Sequence, residues 1–360
     1  MHTARLHRKL LRYAQLYSLV IVTFVTHSTA SVYAAPGNIA PPFDVGSLWY
    51  VCQGYNNSRG THNGTSSFSL DITGGPNCDN SGSGRNIRSP FDGQIAWYST
   101  GSGSLCVNNS LSNKSVMLTH IDSSVAVGAS VNASQVVGNI AAPNQRQNNG
   151  VAHLHIQAWS RTNCTDDSKR IAFEEAVGAR ICGAPDMPTS GPNPYNNGVW
   201  SGTSFIAEKC GGDKPAVYRL YNTTTKKHLY TADSNEAVIL KSRGWLYEGI
   251  SYNAKSLNGC NQKEAVYRFY SQQLQTHFFT TDENERNFIS SNFPPEVWKY
   301  ENVAFCTPSE QEAGTRPVYR FYSDTLKTHL FTTDENEKNT IISWNNPQVW
   351  KYENIAYHAY

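Results

Sequence analysis

Four histidines and one aspartate stand where side-chain chemistry could gather. His153-Leu154-His155-Ile156-Gln157-Ala158-Trp159 alternates polar and apolar residues over seven positions. Side chains two apart on a strand share a face. The pattern therefore predicts His153, His155 and Gln157 on one side, and Leu154, Ile156 and Ala158 in a core. Asp71 lies nine residues after His62, between Leu70 and Ile72, as an acid facing out of an apolar strand. His120 ends the apolar run Val116-Met117-Leu118-Thr119. Two imidazoles on one strand face is a common way to build a metal site. Taken singly, each residue reads more plainly as surface, because His-x-His alone is a weak motif. Their joint placement on strands or strand edges, in a chain marked for export, favours the metal reading.

The elements that must position these residues are short strands. Of the 360 residues 39% are hydrophobic and 16% charged, with 20 Tyr, 14 Phe and 8 Trp. Charged content falls below the roughly 25% usual in soluble domains; Asn, Ser, Thr and Gly fill the gap. That mix argues against coiled coils and disordered chains and suits strands joined by polar turns. A mainly β protein is expected, with an antiparallel-sheet domain at residues 35–212 and a second β domain at 213–360. No metal knuckle is visible in the spacing of the eight cysteines. All eight lie after residue 34, six before residue 211 and two after it, so each half could carry its own disulfides.

Residues 1–34 read as a signal peptide. Arg5, Arg8, Lys9 and Arg12 precede the apolar stretch Leu19–Val25, and Val32-Tyr33-Ala34 supplies a cleavage site after Ala34. The apolar run falls short of the roughly 20 residues a spanning helix needs. Removing these four cations from the 30 Lys+Arg leaves 26 against 28 Asp+Glu. A near-neutral secreted chain has no basic footprint for nucleic acid or anionic lipid. It is expected to be an extracellular monomer, off the membrane after signal cleavage.

The pattern His62…Asp71…His120…His153-x-His155 resembles that of the lysostaphin-type zinc metallopeptidases, in their beta-lytic and staphylolysin-like branch. Ser89-Pro90-Phe91-Asp92-Gly93-Gln94-Ile95 is similar to that family's segment before the middle histidine. Val125-Ala126-Val127-Gly128 through Gln135-Val136-Val137-Gly138 is similar to its next characteristic stretch, except that Ser134 stands where the family usually has Gly. The likeness covers residues 45–160 well and 160–212 loosely. It implies one Zn2+ held by His62, Asp71 and His155, three protein ligands with a fourth position left for water. It implies His153 as general base and His120 as stabiliser of the tetrahedral oxygen, although either histidine could take either role. It implies a substrate among the peptides of bacterial cell walls, in peptidoglycan cross-bridges, or Gly-rich peptides. A zinc D-alanyl-D-alanine-type carboxypeptidase and a non-catalytic glycan-binding or adhesin protein are the rival readings.

Residues 213–360 contain three copies of one unit, at about 214–260, 263–306 and 315–360. Ala216-Val217-Tyr218-Arg219-Leu220-Tyr221 recurs from Ala265 and again from Pro317. A histidine follows ten residues after each Val-Tyr tyrosine (His228, His277, His329), then Asp233, Asp282 or Asp334, then Trp-x-Tyr-Glu. Asp282-Glu283-Asn284-Glu285 has the form of a capping box before a short helix. The alternation predicts a hairpin, a helix and a third strand per copy. A trefoil-like closure is expected for the three. The unit resembles an aromatic repeat of unknown function found in secreted proteins. Its histidine and aspartate read as structural, its aromatics mainly as core, with cell-wall glycan as the partner if it targets the enzyme.

Overall fold

The computed structural model describes residues 38–55, 62, 64–185, 187, 203–211, 214–257, 259–344 and 349–360. The signal-peptide reading and most of the Gly/Pro/Asn-rich stretch 183–202 lie outside them. The protein is mainly β. Its strands are β1 (Leu48–Gln53), β2 (Leu70–Thr73), β3 (Asn86–Arg88), β4 (Gly93–Ser99), β5 (Ser104–Asn109) and β6 (Lys114–Thr119). Next come β7 (Ile121–Ser123), β8 (Ser130–Val131), β9 (Val136–Ile140), β10 (Leu154–Trp159), β11 (Arg170–Ile171) and β12 (Ser204–Ile206). Hydrogen bonding orders the main antiparallel sheet β12-β1-β2-β10-β6-β5-β4-β8, with β11 also on β10. A smaller sheet runs β3-β9-β7.

Alternation decides which way each strand faces. Leu154 and Ile156 of β10, Leu70 and Ile72 of β2, and Val116 and Leu118 of β6 are all buried in one core with Trp49, Phe43 and Phe173. Burying such side chains is the main source of stability, at about 1.5–3 kcal/mol each. The residues between them are forced to the other face. The register then sets them side by side: His155 pairs with Asp71 on β2 and with Thr119 on β6. Ser134 has φ 65°, a left-handed conformation. That explains why the resembling family favours Gly there, since a Cβ costs about 1–2 kcal/mol in this region.

Four disulfides join Cys52–Cys78, Cys106–Cys164, Cys182–Cys210 and Cys260–Cys306, three in the first half and one in the second. Cys106–Cys164 ties β5 to the loop after β10 and packs with Trp159, also buried. Replacing both of its cysteines with Ala is expected to lower unfolding free energy by about 2–5 kcal/mol. Denaturant titration under non-reducing conditions reads the difference.

Each repeat folds as a three-stranded antiparallel sheet and one helix. The first holds β13 (Ala216–Asn222), β14 (Lys227–Thr231), α1 (Ser234–Ser242) and β15 (Leu246–Asn253). The second holds β16 (Ala265–Ser271), β17 (Thr276–Thr280), α2 (Glu283–Asn292) and β18 (Lys299–Cys306). The third holds β19 (Arg316–Ser323), β20 (Thr328–Thr332), α3 (Glu335–Ser343) and β21 (Lys351–Ala359). The central strand of each sheet is the Val-Tyr-Arg strand. Among the described strands no ladder links one repeat to another, so a shared hydrogen-bonded barrel is not what joins them. The chain divides into two compact units, the first ending at Ala254 and the second beginning at Lys255, so the first repeat belongs to the same unit as the large sheet.

Asp233, Asp282 and Asp334 are helix N-caps, accepting from backbone N–H groups of the first turn. In the second repeat the capping box is relayed: the Asp282 N–H donates to Thr280 Oγ1, which donates to Glu285. The histidines do not pair with these aspartates. They face the glutamate of Trp-x-Tyr-Glu, at 3.4 Å for His228–Glu248, 3.5 Å for His277–Glu301 and 3.3 Å for His329–Glu353. The same glutamates meet Arg219, Arg268 and Arg320. Burial first, then the Arg268 guanidinium, push the His277 imidazole down to about 3. An unfolded histidine takes its proton near about pH 6.5. As pH falls, the unfolded chain binds this proton before the folded one does. Stability is therefore lost on the way down from about pH 6.5 toward His277's folded value. His277→Gln is expected to lessen, by several degrees, the fall in melting temperature between about pH 7 and pH 4. Scanning calorimetry of the whole chain reads it.

Candidate metal centre

His62, Asp71 and His155 converge from three places in the chain. His62 lies fully buried before a short turn at Gly64–Ser66; Asp71 is on β2 and His155 on β10. Their inward atoms form a tight triangle. His62 Nε2 is 3.0 Å from Asp71 Oδ1 and 3.2 Å from His155 Nδ1, and His155 Nδ1 is 2.9 Å from Asp71 Oδ1. Tetrahedral zinc with bonds of about 2.0–2.1 Å spaces its ligands at about 3.3 Å. The donor set of two imidazoles and a carboxylate fits zinc in both chemistry and spacing. Three acceptor atoms this close, in a buried setting, need a cation or protons between them.

Backbone carbonyls fix the rings. Gly54 O lies 2.8 Å from His62 Nδ1, which assigns the proton to Nδ1 and bares Nε2 for a metal. Val151 O does the same for His153 Nδ1 at 2.8 Å, and Arg146 O for His120 Nδ1 at 2.7 Å. His153 Nε2 then points at the centre, 3.5 Å from Asp71 Oδ1. The His120 and His153 rings lie edge to face, 4.6 Å between centroids. All five residues named from the sequence thus meet at one point.

The electrostatics suit a cation. Burial, the largest single influence on Asp71, raises its carboxyl, but the charge of His153 and hydrogen bonds from His155 and His62 outweigh it. The carboxyl is held well below the usual range and stays ionised. For His120, burial and then the His153 charge push the imidazole down to about 4, against the hydrogen bond to the Arg146 carbonyl. His120 is thus neutral near pH 7.

Sequence reading missed the residues that aim these rings. The carbonyls of Gly54, Val151 and Arg146 carry no side-chain signature. Arg146 is itself placed by an ion pair to Asp122 at 2.6 Å and a bond to the Thr100 carbonyl. His120 leaves β6 with φ 65°, a left-handed step that swings its ring toward the site.

Residues 199–305 match the family described as a domain of unknown function, DUF5648. No curated protein matches the chain. Among solved structures it is similar to the deep-sea M23 metalloprotease pseudoalterin, at 19% identity over 39% of this chain and 77% of that one, with a TM-score of 0.30. It is similar to a mutant catalytic domain of the prophage-encoded M23 protein EnpA from Enterococcus faecalis. That match has 18% identity over 37% and 93% of the two chains, with a TM-score of 0.28. The catalytic domain of the antimicrobial peptidase lysostaphin from Staphylococcus simulans matches at 20% identity over 35% and 87%, with a TM-score of 0.25.

Proposed function

We propose that the chain is a secreted zinc metalloendopeptidase, hydrolysing peptide bonds in bacterial cell-wall cross-bridges or Gly-rich peptides. The convergence of His62 Nε2, Asp71 Oδ1 and His155 Nδ1, with His153 and His120 beside them, carries this reading. Zinc bound there would supply a Lewis acid and lower the pKa of water to about 7.

The chain's own residues do the rest. His62, Asp71 and His155 hold the metal. His153, with Nδ1 donating to Val151 O, presents a bare Nε2 that accepts the proton of the attacking water and returns it to the leaving amine. His120, neutral and oriented by Arg146 O, presents its Nε2 on the other side. Once it holds a proton there, it can donate to the oxygen of the scissile carbonyl. Residues 1–34 serve as the cleaved signal, and residues 213–360 as an appended targeting module.

Amine release from purified glycine-bridged peptidoglycan by the mature chain, loaded with one equivalent of zinc, tests the reading. Release that stops on chelation and returns with zinc supports it. No release by folded, zinc-loaded protein from the wall or from soluble glycine peptides overturns it.

A further inference from the structure

The three repeats share one sheet register but differ in what covers one face. Tyr247, Tyr300 and Tyr352 pair with Leu220, Phe269 and Phe321; Ile250, Val303 and Ile355 pair with Tyr218, Tyr267 and Tyr319. In the first repeat this face is occupied by another part of the chain. Tyr247 Oη donates to the Gly46 carbonyl at 2.8 Å. Leu48 and Ile206 pack with Tyr218, Leu220 and Trp245. Gly46 has φ 82°, and a Cβ built on it would lie 2.7 Å from Ile250 Cδ1. Only glycine satisfies both the backbone and the space.

The second and third repeats keep the gripping residues and leave them open. Tyr300 is 44% exposed, Tyr352 39% and Ile355 45%. Each tyrosine ring is braced edge-on, by Phe269 at 5.2 Å and Phe321 at 5.3 Å. The rings are therefore fixed before any partner arrives, which lowers the entropy cost of binding. One contact is already filled internally. In the first repeat Glu208, which follows β12, accepts from Tyr218. In the others Glu283 and Glu335, from their own helices, accept from Tyr267 and Tyr319. A partner there has no need of an acid.

We propose that the Tyr300/Val303 and Tyr352/Ile355 faces bind uncharged, glycine-containing peptide segments as the first repeat binds Gly46. The phenol would donate to a glycine carbonyl, and the branched side chain would fill the space a Cβ would take. Glycine-rich wall peptide is the substrate class proposed above, so these faces would hold the enzyme on its substrate; the binding itself does not depend on catalysis.

The test uses the mature chain carrying His155→Ala, so that nothing is cleaved, titrated with N-acetyl-pentaglycine amide and followed by calorimetry. Binding is expected, weakened at least tenfold by Tyr300→Ala with Tyr352→Ala, and at least tenfold weaker for the penta-alanine analogue. A melting temperature unchanged by the two exposed substitutions shows the fold is kept. Absence of binding, binding indifferent to both tyrosines, equal affinity for penta-alanine, or retention only by peptide-free glycan overturns the proposal. None of these results would touch amine release by the wild type, which is scored separately.

Discussion

A His62→Ala or His155→Ala variant is expected to fold, to lose its stoichiometric zinc, and to release amine at the uncatalysed background. Each residue supplies one of three donor atoms set 2.9–3.2 Å apart, so deletion leaves a two-ligand site. Catalytic zinc needs three protein ligands. The loss in turnover should exceed about a thousandfold, because the Lewis acid and the activated water go together. Metal analysis and amine release measure this directly. Stability provides an independent readout. Metal that binds only the folded state adds about 4 kcal/mol when present at a thousand times its dissociation constant. The melting temperature of the wild type should fall on chelation, while that of the variant should not move. A variant that binds a full equivalent of zinc and turns over normally would break the ligand assignment.

The second large effect separates the two remaining histidines. His153→Ala and His120→Ala should each keep the zinc, since neither belongs to the donor triangle. Each should lose turnover by about 10²–10⁴, the usual worth of a positioned proton-transfer group, with little change in KM. Their effects should not add. Two groups acting on one proton itinerary fail together, so the double variant should resemble the worse single one. His153 Nε2 comes within 3.5 Å of Asp71 Oδ1, so its ring reaches the centre itself, and the larger loss is expected there. Stopped-assay rates with zinc content measured on the same samples decide it. Loss of zinc from the His153 variant would instead make it a ligand.

Much of the site was legible because strand chemistry is periodic. The alternation Leu154-His155-Ile156, with Leu70-Asp71-Ile72, needs no tertiary information: an apolar core buries one parity and leaves the other on the opposite face. The three repeats and their helix caps were equally open to reading, since an N-cap acts within one turn of its own sequence. The mainly β character follows from the same patterns.

What the chain alone could not state was which strands are neighbours. Asp71 meets His155 because β2 and β10 pair, 84 residues apart, and His62 reaches both from a loop. The ring-orienting carbonyls of Gly54, Val151 and Arg146 were invisible for the same reason: every residue has a carbonyl, and only the fold selects three. The repeat histidines show the limit most plainly. Five residues from an aspartate in sequence, each one faces a glutamate some 20 to 24 residues further on, because the third strand pairs with the first and brings Trp-x-Tyr-Glu across the sheet. Tertiary structure also decided that the first repeat packs on Gly46 while the equivalent tyrosines of its sisters stay open. Local sequence sets which residues can point together; long-range strand pairing, driven by burial of the shared core, sets which of them meet.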